Sequence, residues 1–421
     1  MSTKGITTTI AVVLAIVMLV VGLVVGYLLV PLVAPAEVGL SGDIELGGLF
    51  SLTGDLATFG ENELVAAELA VDEVNDLLEA MGEDWTLKLV AEDTQTDPDL
   101  ALEKLESLAA RGVKLIVGPL SSGEVRSIKS YLDANDILAI SQSSTAADLA
   151  IENDNIFRFC PTDKVGQGPA IGRIMWDDGK KYIIPVTRND AWGKGLEDYS
   201  ELRFEALGGE FLEGILYDPE AAAFTTEAAD LASKVQDAID AYGADEVAIL
   251  NIAFEEVVTF MTACLGYPVL DDVKWYGSDG TATSGAMLDD ANVRDFAMSI
   301  EYPCTIFGPT HSEKWEKVRA HGEAELGREP ESYSYAIYDI VWVYTLCLLT
   351  VDDYDALAIK EVLPTVAEAF FGASGWIQLD KYGDRGPTNY DIWQITEIAT
   401  DTYDWKTIGM YDITTDSLVW E

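Results

Sequence analysis

The sequence is poor in cysteine, in histidine and above all in positive charge. Its 421 residues include four Cys (Cys160, Cys264, Cys304, Cys347), widely spaced and without a C-x-x-C pair, so neither a zinc site nor a disulfide scaffold is signalled. The two His, His311 and His321, cannot furnish a histidine-rich metal centre. Acidic residues spaced as a metal-binding set are missing too: Asp271-Asp272 and Asp352-Asp353 read as solvated turns and lack the EF-hand pattern. Against 73 Asp and Glu stand only 26 Lys and Arg, a formal charge of −47 that repels a phosphate backbone and excludes nucleic acid as a partner. What is present is apolar matter: 49% hydrophobic residues, with 10 Trp, 18 Tyr and 13 Phe, far from the composition of a disordered acidic chain. The acid therefore belongs on a folded surface, and the length allows a two-lobed α/β protein.

Residues 10–30 carry no charge and are long enough to cross a bilayer as a helix. The only positive charges before them are the amino terminus and Lys4, so the first residues are expected in the cytoplasm and the main domain outside. Retention of this helix is expected, although Ala34-Pro35-Ala36 is a proline-interrupted version of a signal cleavage site. The absence of a Cys after the run excludes a bacterial-type lipoprotein anchor, and Lys4-Gly5-Ile6-Thr7 resembles archaeal prepilin-type signals, which leave the helix in place. Residues 31–43, with two prolines and two glycines, read as a stalk.

Beyond the stalk, strand-like runs alternate with helical periodicity. Strands are expected at 44–50, 86–91, 114–117 and 137–140, with helices at 61–81, 98–111 and 124–134 between them. The pattern restarts after Phe157-Arg158-Phe159, with strands at 182–187, 210–216, 246–251 and 274–277 and helices at 196–207, 226–241 and 255–265. Such alternation predicts parallel sheets covered by helices, in two successive Rossmann-like lobes with a cleft between them.

In such sheets ligands sit beyond the carboxyl ends of the strands, so the strand-to-helix loops are the place to look. In the first lobe these are Ser51-Leu52-Thr53-Gly54 with Phe59-Gly60, Gly118-Pro119-Leu120-Ser121-Ser122-Gly123, and Ser141-Gln142-Ser143-Ser144-Thr145. Hydroxyls beside a helix N-terminus suit a carboxylate that must be held and released; each Ser or Thr alone reads first as a helix cap, and three such loops at one sheet edge shift the balance toward a ligand site. The second lobe offers Asp190-Ala191-Trp192-Gly193, Ala253-Phe254 and Gly277-Ser278-Asp279-Gly280. Together they make a zwitterion pocket: hydroxyls for a carboxylate, Asp279 for an ammonium, rings for a side chain. Asp279 also reads as an ordinary turn aspartate before glycine.

Catalysis finds no support. Residues 118–123 do not fit G-x-S-x-G, neither His lies in a strand-end loop, and 166–172 misses a dinucleotide fingerprint by one residue with Pro169 in its turn. No enzyme, cofactor or metal is expected.

Taken in order, the motifs resemble the branched-chain amino-acid substrate-binding proteins of ABC transporters, of type I periplasmic-binding fold. The resemblance rests on residues 48–54 with Phe59-Gly60, on 116–122, on 140–145, on Phe157-Arg158-Phe159-Cys160-Pro161-Thr162-Asp163 with Gln167-Gly168, on 190–195, and on 372–375 with Asp380 and Gly383-Asp384. It implies three crossovers between lobes, near Pro161, 299–304 and 390–394. Lobe 1 is then 44–161 with 302–392, and lobe 2 is 162–301 with 393–421, preceded by the anchor at 1–30. It also implies that Ser122, Ser143 and Thr145 hold the ligand α-carboxylate, that Thr145 also touches the ammonium, and that Asp279 pairs with it. Phe59, Trp192 and Phe254 stand where the family often has tyrosine, and Asp279 where glutamate is common, which leaves a more apolar side-chain pocket. The implied partners are an amino acid and membrane permease subunits. A ligand-sensing ectodomain working with a separate partner, a pilin-like structural part, and a binder of small amides or aromatic acids are the alternatives.

Overall fold

The computed structural model describes residues 39–421; the expected membrane helix and most of the stalk lie outside the described residues. The chain first lays down β1 (Gly42–Phe50), α1 (Ala57–Met81), β2 (Trp85–Asp93), α2 (Pro98–Ala110), β3 (Leu115–Val117), α3 (Ser122–Asn135), β4 (Leu138–Ser141) and β5 (Ile156–Pro161). It continues through α4 (Gln167–Asp177), β6 (Tyr182–Arg188), α5 (Ala191–Leu207), β7 (Glu210–Phe211), β8 (Ile215–Tyr217), α6 (Thr225–Tyr242), β9 (Val247–Ile252), α7 (Val257–Cys264) and β10 (Lys274–Tyr276). The remainder holds α8 (Gly285–Asp289), α9 (Ala291–Ser299), β11 (Cys304–Phe307), α10 (Glu313–Leu326), α11 (Ser332–Val351), α12 (Ala356–Ala369), β12 (Asp384–Arg385), β13 (Tyr390–Ala399), β14 (Thr402–Asp412) and β15 (Ser417–Trp420).

Two parallel sheets result, as the β-α alternation predicts. The first has six strands in the order β12-β5-β4-β3-β1-β2, and the second runs β10-β9-β6-β7 with β8 also on β6. Strands buried on both faces read as continuous apolar runs, and Leu115–Val117 and Val247–Ile252 are buried throughout. The run at 210–216 is not one strand but two. Tyr182 and Ile183 pair with Glu210 and Phe211, whereas Val186 pairs with Ile215, so one extra residue lies opposite Pro185, which has no N–H to give a ladder. Gly214 fills this bulge because a Cβ there would stand 2.2 Å from the Pro185 carbonyl oxygen.

A third sheet departs from the alternation. β11, β13, β14 and β15 are antiparallel in that order, and β13 and β14 form a hairpin whose turn includes Asp401 at φ 56°. Residues 390–421 thus build a separate antiparallel layer with β11. The apolar helix α11 is long and apolar enough to cross a membrane by composition, but 15 of its residues are buried within the protein. It packs beneath the first sheet, where the Tyr344 hydroxyl reaches the carbonyls of Ile116 at 3.0 Å and Leu138 at 3.2 Å.

Strand order fixes where a ligand can sit. In the first sheet the order reverses between β1 and β3, so the loops after those strands part and open a crevice. In the second sheet the reversal falls between β6 and β9. The loops at these two switch points face one another.

Candidate functional site

Between the two switch points lies a small cavity, about 20 Å³ as measured by the centre of a water-sized sphere, partly open to solvent, lined by Leu56, Phe59, Leu120, Ser121, Ser122, Ser143, Trp192, Phe254, Asp279, Gly280 and Tyr333. That is room for about one water, so its walls stand nearly together. Six of the seven expected site residues meet there: Ser122, Ser143, Asp279, Phe59, Trp192 and Phe254. Thr145 does not line it; its hydroxyl accepts a hydrogen bond from Trp192 Nε1 at 3.0 Å.

The two readings of the serines, cap or ligand group, separate in the structure. Ser121 is the N-cap of α3, in a reciprocal capping box with Glu124. Ser122, the first helical residue, is left free of capping: its Oγ accepts the Ala146 N–H at 3.2 Å and keeps its own proton to donate. Ser143 Oγ donates to the Leu120 carbonyl at 2.8 Å, and Ser141 Oγ to the Pro119 carbonyl at 2.7 Å, so the loops after β3 and β4 are tied together. Ser122 therefore stands with the first-turn N–H groups of a 14-residue helix at the edge of the cavity, a site of positive potential suited to a carboxylate.

The apolar wall is a three-layer stack. The rings of Trp192 and Phe254 lie 4.6 Å apart at 26°, and the Arg188 guanidinium covers the Phe254 ring at 3.7 Å. Arg188 is itself fixed by Asp190 at 2.6 Å and Glu256 at 2.9 Å. Asp190 caps α5 through the Gly193 N–H at 2.7 Å, and Gly193 is needed because a Cβ would meet the Arg188 carbonyl oxygen at 2.5 Å. This chain of contacts sets the indole of Trp192 over the cavity.

Opposite the serines stands an acid. Asp279 is only 4% exposed, accepts hydrogen bonds from the Tyr333 hydroxyl at 2.6 Å and the Gly280 N–H at 3.0 Å, and is pushed up to about 6 by burial. A plain turn aspartate faces solvent; this one does not. Asp163, just after β5, is wholly buried as well. Burial first, and then the charge of Asp279, raise Asp163 well above the usual carboxylate range, while the Thr145 hydroxyl and Arg158 pull it back. Tyr333 is a cavity residue that the strand-end reading missed, since nothing local to the distant α11 signals it; Asp163 does not line the cavity.

The two sides of the cleft touch. Thr58 Oγ1 donates to Glu255 Oε1 at 2.6 Å, Ser284 Oγ reaches the same oxygen at 2.7 Å, and the Glu255 N–H meets the Asp55 carbonyl at 3.0 Å. Among the described residues no His, Cys, Asp and Glu cluster is arranged to hold a metal ion, and all four cysteines are buried free thiols.

Residues 43–399 match the family model described as periplasmic binding protein, and the chain belongs to that family. The relatives and neighbours whose roles are named are binding proteins rather than enzymes. An uncharacterized protein of Methanocaldococcus jannaschii is 33% identical over 90% of this chain and 92% of its own length. The Leu/Ile/Val-binding protein BraC3 of Rhizobium johnstonii is 29% identical over 39% of this chain and 45% of its own. Among solved structures, the leucine-binding protein LivK of Thermotoga maritima superposes with a TM-score of 0.71 at 18% identity, over 86% of this chain and 97% of that one. LivJ of Streptococcus pneumoniae, in complex with isoleucine, gives 0.71 at 19% identity over 87% and 99%. A solute-binding protein of R. palustris in complex with benzoate gives 0.71 at 17% over 90% and 98%. The type I periplasmic-binding fold is thereby shared with proteins whose ligands differ.

Proposed function

We propose that the chain captures an amino acid with an apolar side chain outside the cytoplasmic membrane and presents it to ABC permease subunits. The observation that carries this reading is the polarity of one small cavity. A helix N-terminus with the free Ser122 hydroxyl lies on one wall, the buried carboxylate of Asp279 on the other, and the rings of Phe59, Trp192 and Phe254 between them. A carboxylate, an ammonium and a hydrocarbon group are the three parts such a cavity complements. Benzoate-like acids bring no cation to Asp279 and leave its charge buried without a counter-ion.

In this reading residues 10–30 anchor the chain in the membrane and 31–43 form the stalk. Lobe 1 (44–161 and 302–392) and lobe 2 (162–301 and 393–421) close on the ligand about crossovers near Pro161, 299–304 and 390–394. Ser122 takes the carboxylate through its free hydroxyl, Ser143 braces the Leu120 carbonyl beside it, and Thr145 acts through Trp192. A thermal-shift panel tests it: leucine, isoleucine, valine and alanine against benzoate and small amides. A ligand at a hundred times its Kd stabilises the folded state by roughly 2.7 kcal/mol. A shift with the amino acids alone supports the reading; a shift with benzoate alone overturns it.

A further inference from the structure

A second cavity lies away from the cleft, between α10, the start of α11 and the antiparallel layer of β13 and β14. It holds about 320 Å³ by the measure that gives the cleft cavity 20 Å³, is partly open to solvent, and shares no lining residue with it. Aromatic rings form its walls. Trp315 and Tyr335 stand with centroids 5.9 Å apart, His311 stacks on Trp315 at 4.0 Å, and Trp393 of β13 lines the same space. The charges of the lining do not balance. Arg319 is spent within α10, its Nε and Nη2 on Glu316 at 3.0 and 2.8 Å and its Nη1 on Glu323. Lys406 of β14, the other cation near Glu329, pairs with Asp404 at 3.0 Å. That leaves Glu329 and Asp391, which line the cavity and make neither an ion pair nor a side-chain hydrogen bond with any described residue. Burial raises both carboxyls, and the charges of Glu421 and Glu329 add to it at Asp391, which is pushed up to about 7. Two donors among the lining residues are left over as well: the Tyr335 hydroxyl and Trp393 Nε1, on residues 2% and 7% exposed, find no hydrogen-bond partner among the described residues. Buried donors are normally satisfied, so these two mark places for an oxygen atom brought from outside.

We propose that this cavity is a second binding site, for a small organic ammonium ion that carries alkyl groups and an oxygen acceptor. Ring faces attract such a cation and give its alkyl groups area, while the unpaired carboxylates of Glu329 and Asp391 supply the counter-charge. Strand geometry presents the two together: Asp391 and Trp393 are two residues apart on β13 and so share a face. A bare metal ion does not suit the site, since no group of acids, His and Cys among the described residues is arranged to hold one. An anion is repelled by both carboxylates, and an uncharged ligand leaves them without a counter-ion. The site stands apart from the amino-acid reading of the cleft and does not depend on it.

Calorimetry on the full chain in detergent at pH 8 tests this with choline as the probe, sodium chloride at equal ionic strength as the reference, and 3,3-dimethylbutan-1-ol as the uncharged isostere. Choline is expected to bind saturably and the isostere about tenfold more weakly or worse. Equal binding of the two overturns the cation site. Heat that only tracks ionic strength overturns it too, because choline is then a mere counter-ion of the acidic surface. Glu329→Gln is expected to weaken choline about tenfold, between what exposed and buried charge pairs are worth, and Trp315→Leu roughly 2- to 30-fold. Glu329 has no partner to lose, so this variant is expected to fold, which a melting curve checks, and the half-buried Trp315 supplies an independent arm. Unchanged affinity in both variants overturns the assignment. Choline is also expected to bind undiminished to Asp279→Asn; loss of binding there puts it in the cleft and overturns the second site. Failure of leucine to bind overturns the amino-acid reading alone and leaves this site standing.

Discussion

Trp192 Nε1 donates a hydrogen bond to Thr145 Oγ1 at 3.0 Å, joining the helix that follows β6 of the second sheet to the loop that follows β4 of the first. The bond joins loops of the two sheets beside the cavity that Trp192 lines, and in the proposed two-lobe clamp it belongs to the closed form. Ligand and bond then favour the same state, and each strengthens the other.

Thr145→Val keeps the shape and removes the acceptor. Ligand affinity is expected to fall by about 0.5–1.5 kcal/mol, the net worth of one hydrogen bond, or roughly 2- to 13-fold in Kd. Trp192→Phe removes the donor instead, and a double-mutant cycle should show the two losses coupled rather than additive. Small-angle scattering supplies the structural readout: saturating ligand should reduce the radius of gyration of the parent. Full additivity of the two substitutions removes the latch.

Asp279→Asn keeps the loop and the Tyr333 contact while removing the charge. Losing one partner of a buried charge pair costs roughly 2–5 kcal/mol, so binding should be nearly abolished. Folding should survive, because the ligand-free protein gains by losing a buried carboxylate. Calorimetry with leucine and a melting curve separate the two effects; unchanged affinity would mean that the ligand carries no ammonium at this wall.

How much of this was legible in the sequence depends on whether the information was local. The parallel strands and their loops were, since apolar runs such as 115–117 and the turn residues around them are short-range signals. The serines were legible as a set but not individually: which of Ser121 and Ser122 caps the helix is decided by Glu124 three residues on, a capping box that the loop reading passed over. The early start of α1, at Ala57 rather than residue 61, was hidden because Leu56 provides no side-chain cap. Tyr333, and the antiparallel pairing of β11 with β13 across more than eighty residues, are tertiary facts with no short-range signature.

The ion pair of Arg158 with Asp384 positions the serine loop from behind. Arg158 is 1% exposed, bidentate to Asp384, and holds the carbonyls of Ser144 and Ala146. Asp384→Ala strands a buried guanidinium, which is expected to cost about 3–5 kcal/mol of stability. Urea unfolding should show this as a lower midpoint at constant slope, with ligand affinity falling as well, since Ser143 and Thr145 flank the released carbonyl. A change smaller than about 1 kcal/mol would mean that the guanidinium finds other partners.

Surface charge makes a separate prediction. With −47 on the chain and most ion pairs solvent-exposed, self-repulsion is a global term that salt screens, the Debye length falling from about 10 Å at 0.1 M to about 3 Å at 1 M. The melting temperature should rise from low salt to molar KCl. A flat profile would show that the acidic surface is already neutralised by its own arrangement.

Acid inside the first lobe acts in the opposite sense to acid on its surface. Glu63 on α1 is fully buried; one oxygen accepts from Gln142 Nε2 at 2.8 Å, and the other has no partner. Burial, and then the charges of Glu331 and Glu124, raise its carboxyl well above the usual range, and burial raises those two as well. A carboxyl raised on folding binds more protons in the native than in the unfolded state, so its contribution to stability is present below the unfolded value and is lost as pH rises through the folded one. The parent should therefore gain stability on going from pH 8 towards pH 5. Glu63→Gln keeps the volume and can still bond Gln142, and at pH 8 it should melt higher than the parent, with the gap closing towards pH 5. If the gap is the same at both pH values, Glu63 titrates alike in the folded and unfolded chain, and the strain assigned to the buried glutamates lies elsewhere.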